Sequence, residues 1–303
     1  MLKSCVRCTS APAASSSPNA SMFKRHNLMN SVVKAVASIG LFCSFWCFQA
    51  SGTELKPSTA LAFQEYVNRA EAQMQTEVDD PNHFLRIDAI PEDQKRAVIS
   101  RLRNGEVVVQ PLRTNGHETP TQVPGGLVHH WLAIAFVPGV TAGQVLQLSQ
   151  DYSRYGELYR PDVQYAKILS QDGEHFSVDY RFYRHTIVSV VYNAEFEVNY
   201  FTPESSKNYS QARSIRIAEV ENPGKAGERE LPVGNDHGYM WRANFYSRCL
   251  ERDGGVYIEV EFVALTRTVP AVFAWLVNPY MRSIPRDYLT RYMDEMRSAL
   301  SQP

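Results

Sequence analysis

Apolar and polar residues alternate along most of the chain between residues 127 and 267, and this pattern predicts a series of β-strands. The first strand covers Leu127 to Val137 and ends at Pro138-Gly139. Six further strands follow from Val163 onward, and turn residues such as Asp253-Gly254-Gly255 separate them. Such clean alternation indicates an antiparallel sheet with one buried face and one face in water.

A different period governs the last part of the chain, from Thr268 to Leu300. Apolar residues recur there at three- and four-residue steps, which predicts one long helix. Pro279 and Pro285 lack a backbone N–H, so we expect a bend near the first and a kink, or a restart capped by Ser283, near the second. A curved sheet with one long helix must place that helix on its apolar face.

Two shorter helices are predicted between the first and second strands. Thr141 caps the first of them, and the tyrosine-rich segment from Asp151 to Tyr159 forms the second. Ahead of the sheet, residues 54–110 carry two amphipathic helical patterns and a short strand, which together predict a helical extension docked on the main domain. Residues 111–126 are rich in glycine and proline and read as a linker.

The first 53 residues contain no acidic residue and five basic ones. An apolar run at Ala35–Phe48, too short to span a bilayer comfortably, is followed by small residues at 50–52. Together these features predict a leader over residues 1–53 that holds a secretory signal peptide, and hence a secreted or periplasmic protein. Met22 and Met29 are alternative start sites. The open alternatives are an organelle transit peptide and an uncleaved membrane anchor at residues 35–48.

Charge and cysteine content limit the functions expected of residues 54–303, the part of the chain after the predicted leader. These residues include 26 of the 31 basic residues and all 32 acidic ones, so they are mildly acidic. This charge gives no electrostatic reason to expect nucleic-acid binding. Cys249 is the only cysteine beyond the leader, and no disulfide within the mature chain is expected. Cys5 and Cys8 lack the second ligand pair of a zinc site, and no metal or cofactor is predicted. Familiar catalytic motifs are also absent from the sequence.

The element order of one strand, two short helices, six strands and a long helix resembles that of the START/Bet v 1-like (SRPBCC) superfamily. The segment Val137-Pro-Gly-Val-Thr, followed by Asp151-Tyr and by Tyr159-Arg-Pro-Asp-Val163, supports the resemblance. It implies an α+β helix-grip fold for residues 127–303, in which a curved antiparallel sheet of about seven strands wraps on the C-terminal helix. Members include polyketide cyclase/dehydrase-like and lipid-transport proteins, and they commonly hold a hydrophobic ligand between sheet and helix.

Small-molecule sites are mostly apolar with a few polar groups, and aromatic residues with polar tips supply both. Ordinary core packing explains the same residues equally well. Alternation predicts that His130 points inward with the apolar residues of its strand, into the core or the cavity wall, and that His129 points away. It also predicts that Trp241 faces the helix and that Glu259 and Glu261 lie on the wet face. The candidate ligand-binding residues are His130, Tyr180, Phe182, Tyr192, Phe196, Tyr200, Trp241, Phe262, Phe273 and Met293.

Three functions fit this sequence. The first is an exported carrier that binds a lipid-like or aromatic molecule and makes transient membrane contact. The second is a cyclase, dehydrase or hydrolase that uses His130, Tyr180 or Tyr192 as acid or base. The third is a structural protein whose own side chains fill the cavity. We favour the carrier, and the sequence leaves the ligand and the oligomeric state open.

Overall fold

The seven long strands predicted between residues 127 and 267 are all present and pair in one antiparallel sheet. The computed structural model describes residues 53–112, 120–185, 189–268 and 271–301, with side chains in the last helix described from residue 283 onward. The strands in chain order are β1 (Thr53–Glu54), β2 (Val108–Pro111), β3 (Thr121–Val123), β4 (Gly126–Pro138), β5 (Val163–Asp172), β6 (His175–His185), β7 (Ser189–Glu204), β8 (Lys207–Glu221), β9 (Arg229–Glu230), β10 (Asn235–Asp236), β11 (Arg242–Arg252) and β12 (Gly255–Arg267).

The helices match the predicted order. They are α1 (Pro57–Asp79), α2 (Glu92–Arg103), α3 (Ala142–Gln150), α4 (Tyr155–Leu158) and α5 (Ala271–Leu300), with 3₁₀ turns at Arg86–Asp88 and Tyr152–Arg154. Thr141 caps α3 as predicted, because its hydroxyl accepts from the backbone N–H of Gln144 while the Gln144 side chain accepts from the N–H of Thr141. At the tight turn from β11 to β12, Asp253 and Gly254 both adopt positive φ, as a two-residue hairpin requires.

The main sheet is open. Its strand order is β2-β4-β12-β11-β8-β7-β6-β5, with β3 paired to β4 and β9 paired to β8. The short strand β2 comes from the predicted N-terminal extension, yet it pairs with β4 from Val108 to Pro111. Within the predicted linker, β3 adds Thr121–Val123 to the same sheet by pairing with β4. Residues 113–119 lie outside the described part.

The inner face of the sheet carries α5, which confirms the predicted helix-grip arrangement. Leu289, Met293 and Met296 of α5 are buried in one hydrophobic cluster with side chains from β4, β6, β7, β11 and β12. The helix runs from Ala271 to Leu300 as a single element, so the predicted restart at Ser283 is wrong. A helix can continue through Pro285 when tertiary packing compensates for the lost hydrogen bond.

The outer face is not in water where β4, β11 and β12 meet. Helix α1 covers it with a second apolar cluster, which contains Phe63, Tyr66, Val67, Ala70 and Met74 of α1 together with Val128, Trp241, Tyr246, Val263 and Leu265. A third cluster joins α2 and the 3₁₀ turn at Arg86–Asp88 to Leu132, Ile134, Phe136 and Tyr257. The N-terminal extension is therefore a second layer over the sheet.

Ionised side chains cross this outer interface. The prediction that Glu259 and Glu261 face water is wrong, because each is about 1% exposed beneath the extension. The guanidinium of Arg248 donates to Glu261 at 2.6 Å, and the Nε of Arg86 donates to the same Oε1 at 2.7 Å. Glu259 accepts from the backbone N–H groups of Arg86 and Ile87. Buried carboxylates need such partners to remain stable in a folded protein.

The predicted leader, including the apolar run at residues 35–48, lies outside the described residues. Among the helices that the structure does describe, none combines the length and the apolar character needed to cross a membrane.

Candidate functional site

Rows of side chains across the inner face determine where space is left beneath α5. Residues paired in register on neighbouring strands point to the same face. One such row runs His129–Ala264–Ala243 across β4, β12 and β11. The two alanines place only methyl groups under the helix, so the described side chains leave space above this part of the sheet.

The next row on the same strands is large: Trp131 pairs with Phe262, and Phe262 pairs with Phe245. Beyond it the row is small again, with Ala133, Val260 and Ser247. Small, large and small rows in succession leave two cavities with an aromatic partition between them.

The larger space, which we call the alanine cavity, has a volume of about 170 Å³. Its described walls come from β4, β6, β7, β11, β12 and α5 and are mostly apolar and aromatic. They consist of His129, Phe182, Arg184, Val190, Tyr192, Phe196, Tyr239, Met240, Ala243, Phe245, Phe262, Ala264, Thr266, Ile284, Pro285 and Tyr288. An engineered apolar cavity of about 150 Å³ binds benzene, so this space suits a ring-sized apolar group.

The smaller space, which we call the tyrosine cavity, measures about 90 Å³ and lies toward α3 and α4. Hydroxyl groups are frequent in its walls, where Tyr152, Tyr155, Tyr180, Tyr200 and Tyr292 are joined by three serines. The Tyr152 and Tyr200 hydroxyls lie 2.7 Å apart. Burial raises the pKa of Tyr155, Tyr180 and Tyr200 well above 10, so these phenols stay protonated at neutral pH.

The partition between the cavities is formed by the residues that line both, namely Phe182, Phe196, Phe245 and Tyr288. The Phe245 ring lies 6.1 Å from that of Phe196 and 6.3 Å from that of Tyr288, measured between centroids. Both contacts are within the range of favourable aromatic pairs, so the partition is a packed set of rings.

A cation lies in the wall of the alanine cavity. The guanidinium carbon of Arg184 sits 4.0 Å from the centroid of Tyr288, and its Nη1 lies 2.8 Å from Asp162. Asp162 also accepts a two-pronged contact from Arg291 of α5, at 2.8–3.0 Å. One buried carboxylate thus links the sheet to the helix beside the cavity. Burial and the nearby Asp162 charge raise the pKa of Glu295 to about 7.

His129 is a deeply buried polar group in the wall of the alanine cavity, with 4% exposure. Its Nε2 lies 3.0 Å from the Thr266 hydroxyl. Burial lowers the pKa of His129 to about 4, because an unpaired imidazolium is unfavourable away from water. The ring is therefore neutral near pH 7.

Six of the ten candidate ligand-binding residues lie in the walls of these cavities. Phe182, Tyr192, Phe196 and Phe262 line the alanine cavity, while Tyr180 and Tyr200 line the tyrosine cavity. Met293 of α5 is buried in the core and lines neither cavity. The Phe273 side chain lies outside the described residues. Ligand binding by these residues stays a prediction.

The predicted facing of His130 is wrong. It lies on the outer side, where its Nδ1 is 3.1 Å from the Tyr66 hydroxyl and its Nε2 is 2.9 Å from Glu261. Because the extension buries the outer face of β4 as well, large apolar residues such as Leu132 mark the outer side, and the alanines mark the inner side. His129, which alternation placed away from the cavity, is the histidine inside it.

The predicted facing of Trp241 is also wrong. Strand β11 begins at Arg242, so the alternation of that strand does not include residue 241. The indole packs in the outer cluster under α1, and its Nε1 donates to Asp236 at 3.0 Å. The sequence prediction also missed Arg184, Tyr239 and Tyr288, which line the alanine cavity. The sequence did contain a signal for the cavity itself. Ala243 and Ala264 are small residues on the apolar sides of adjacent strands, where large side chains usually pack.

The order of elements and the grip of the sheet on α5 define a helix-grip fold, which is the architecture that the resemblance to the START/Bet v 1-like superfamily implied. No family model and no curated protein sequence matches the chain.

Solved structures with a similar chain fold include the STAR-related lipid transfer protein of Xanthomonas axonopodis. The match has 14% sequence identity and a TM-score of 0.41, and it covers 60% of this chain and 97% of that protein's chain. Human StAR-related lipid transfer protein 5 has 14% identity and a TM-score of 0.41 over 69% and 93% of the two chains. The Zhui aromatase/cyclase from Streptomyces sp. R1128 has 9% identity and a TM-score of 0.41 over 57% and 93%.

Proposed function

We propose that this protein binds a hydrophobic small molecule and carries it in the alanine cavity. The observation that supports the proposal is the row His129–Ala264–Ala243, which leaves an apolar space between the sheet and α5 where large side chains would otherwise pack. Burial of apolar ligand surface supplies the affinity, at roughly 25 cal/mol per Å² before ordering costs.

The test is a titration of the full chain with naphthalene. Binding is measured by the change in naphthalene fluorescence and by calorimetry. Ala264→Leu fills the cavity floor, and we expect it to weaken naphthalene binding at least tenfold. The matched control is Val263→Ile, the adjacent residue on the outer face, which adds a methylene to the cluster under α1. It should lower stability by about 1–3 kcal/mol and leave binding unchanged. Wild-type protein that binds no naphthalene, or equal effects of both variants, would overturn the proposal.

Native mass spectrometry of gently purified protein complements the titration. A co-purifying apolar molecule that Ala264→Leu excludes is the expected result. Catalysis in the same cavities stays a prediction: Tyr180 and Tyr192 have pKa values raised by burial, so either would act as a hydroxyl donor and not as a base at neutral pH.

We further propose that the carrier is exported, on the basis of the acid-free N-terminus, the apolar run at residues 35–48 and the small residues after it. N-terminal sequencing of the protein from its native host should begin near residues 50–54. A soluble cytosolic product that retains residue 1 would refute export. Transient contact of the loaded carrier with membranes is part of the same proposal.

A further inference from the structure

A deeply buried imidazole with an unused ring nitrogen lies in an otherwise apolar region of the alanine cavity. His129 is 4% exposed, and its direct neighbours across the sheet are the methyl groups of Ala264 and, one strand further, Ala243. Neither alanine has a side-chain polar atom to offer the ring. In the described part of the chain no residue forms a hydrogen bond with the other nitrogen, Nδ1, so this nitrogen is left for a ligand in the cavity that His129 lines.

Thr266 contacts one of the two ring nitrogens. Its hydroxyl lies 3.0 Å from His129 Nε2 and 3.3 Å from the backbone carbonyl of Arg267, and it has one proton to donate. When that proton goes to the carbonyl, the hydroxyl oxygen accepts from Nε2, and the imidazole proton is on Nε2. In a neutral ring the second nitrogen is then an acceptor, so Nδ1 presents a lone pair in this arrangement.

We propose that His129 selects ligands whose apolar body carries a hydroxyl group, which donates a hydrogen bond to His129 Nδ1. This inference rests on the proposed function, since it names the ligand class of the same cavity. The ring-sized volume and the aromatic walls suit a phenol or a comparable cyclic alcohol. A site built to accept a hydroxyl proton rejects an analogue that lacks it, because a buried acceptor is then left unpaired.

The test compares three probes of similar shape on the full chain: naphthalene, 2-naphthol and 2-methoxynaphthalene. We expect 2-naphthol to bind about three- to tenfold more tightly than either of the other probes. This is the gain in affinity that one neutral, buried hydrogen bond provides. In His129→Leu this preference should vanish while naphthalene still binds. In Thr266→Val the preference should shrink, because Nε2 loses its hydroxyl partner and the imidazole proton is no longer held on Nε2 by that contact.

The outcomes separate the two proposals. If no probe binds, the carrier proposal fails. If naphthalene binds and 2-methoxynaphthalene binds as tightly as 2-naphthol, the carrier proposal stands and the role of His129 is overturned. Retention of the 2-naphthol preference in a folded His129→Leu protein would overturn it as well. Circular dichroism and urea unfolding verify that the His129→Leu variant is folded, and its binding of naphthalene verifies that the cavity is retained.

Discussion

Arg248 of β11 and Glu77 of α1 form an ion pair at 2.6 Å between Nη1 and Oε2, inside the interface between the sheet and the N-terminal extension. The other terminal nitrogen of the same guanidinium donates to Glu261 at 2.6 Å. One side chain thus neutralises carboxylates from both layers. The extension and the sheet are joined by charge as well as by apolar packing, and we expect them to unfold as a unit.

Arg248→Met should lower the free energy of unfolding by about 3–5 kcal/mol, because it leaves buried carboxylates without their partner. The matched control is Arg213→Met, which removes another sheet-to-α1 pair, with Glu71 at 2.5 Å. The Arg213 side chain is 40% exposed, so its loss should cost at most about 1 kcal/mol. Urea unfolding measures the free energy of unfolding of both variants. Equal losses in the two variants would contradict the argument that burial makes the Arg248 ion pairs contribute more to stability than the exposed Arg213 pair.

Asp236 makes stability depend on pH. Burial and the nearby Glu219 charge raise the pKa of Asp236 to about 6. A carboxyl group with a raised pKa stabilises the fold below its unfolded pKa, near 4, and that contribution is lost as pH rises through 6. Asp236→Asn keeps an acceptor for Trp241 and removes the charge. Relative to the wild type it should therefore be more stable at pH 8 than at pH 5, by about 1.4 kcal/mol, which corresponds to the one pH unit between 5 and the folded pKa of about 6.

The control for this pH comparison is Asp253→Asn. Hydrogen bonds from Tyr257 and Arg103 lower the pKa of Asp253 against the opposing effect of burial, so its contribution has the opposite sign. That contribution is present above pH 4 and lost below it, and the variant should lose stability toward pH 8 relative to acid. A pH-independent effect of Asp236→Asn would show that its carboxyl is not held in the protonated form.

Trp241→Ala should destabilise the protein without changing ligand binding. The indole is 1% exposed in the outer cluster, where its loss leaves a void that costs about 3–5 kcal/mol. Phe262→Ala is the counterpart on the inner face and should alter naphthalene affinity. Unfolding and binding are measured on both variants. Impaired binding by folded Trp241→Ala would mean that the sheet transmits changes between its faces.

Phe245→Ala should join the alanine and tyrosine cavities, because Phe245 lines both. The variant should gain affinity for biphenyl relative to naphthalene, as calorimetry can measure. Phe176→Ala is the control: Phe176 is a buried aromatic residue of the same core that lines neither cavity. It should lose stability and keep the wild-type preference. A gain of biphenyl binding in Phe176→Ala would argue against a discrete partition.

The sequence predicts the strands and the long helix well because their periods are local properties. It does not reveal which face of a strand is inner when both faces are covered. For that reason the predicted facing of His129 and His130, which are adjacent in β4, is the reverse of the observed one. The partners of Glu261 lie on β4, β11 and the turn after α1, so no local pattern could have shown that its carboxylate is buried. Thr266, whose hydroxyl contacts His129 Nε2, is likewise 137 residues away.

The floor of the alanine cavity consists of two side chains within paired strands, and no loop is needed to make it. A single nucleotide change can convert an alanine codon to one for valine or glycine, which shrinks or enlarges the space while the strand pairing of β11 and β12 is kept. The size of the cavity in descendants of this protein can therefore drift in steps of one or two carbon atoms, without insertions or deletions in the strands that form its floor.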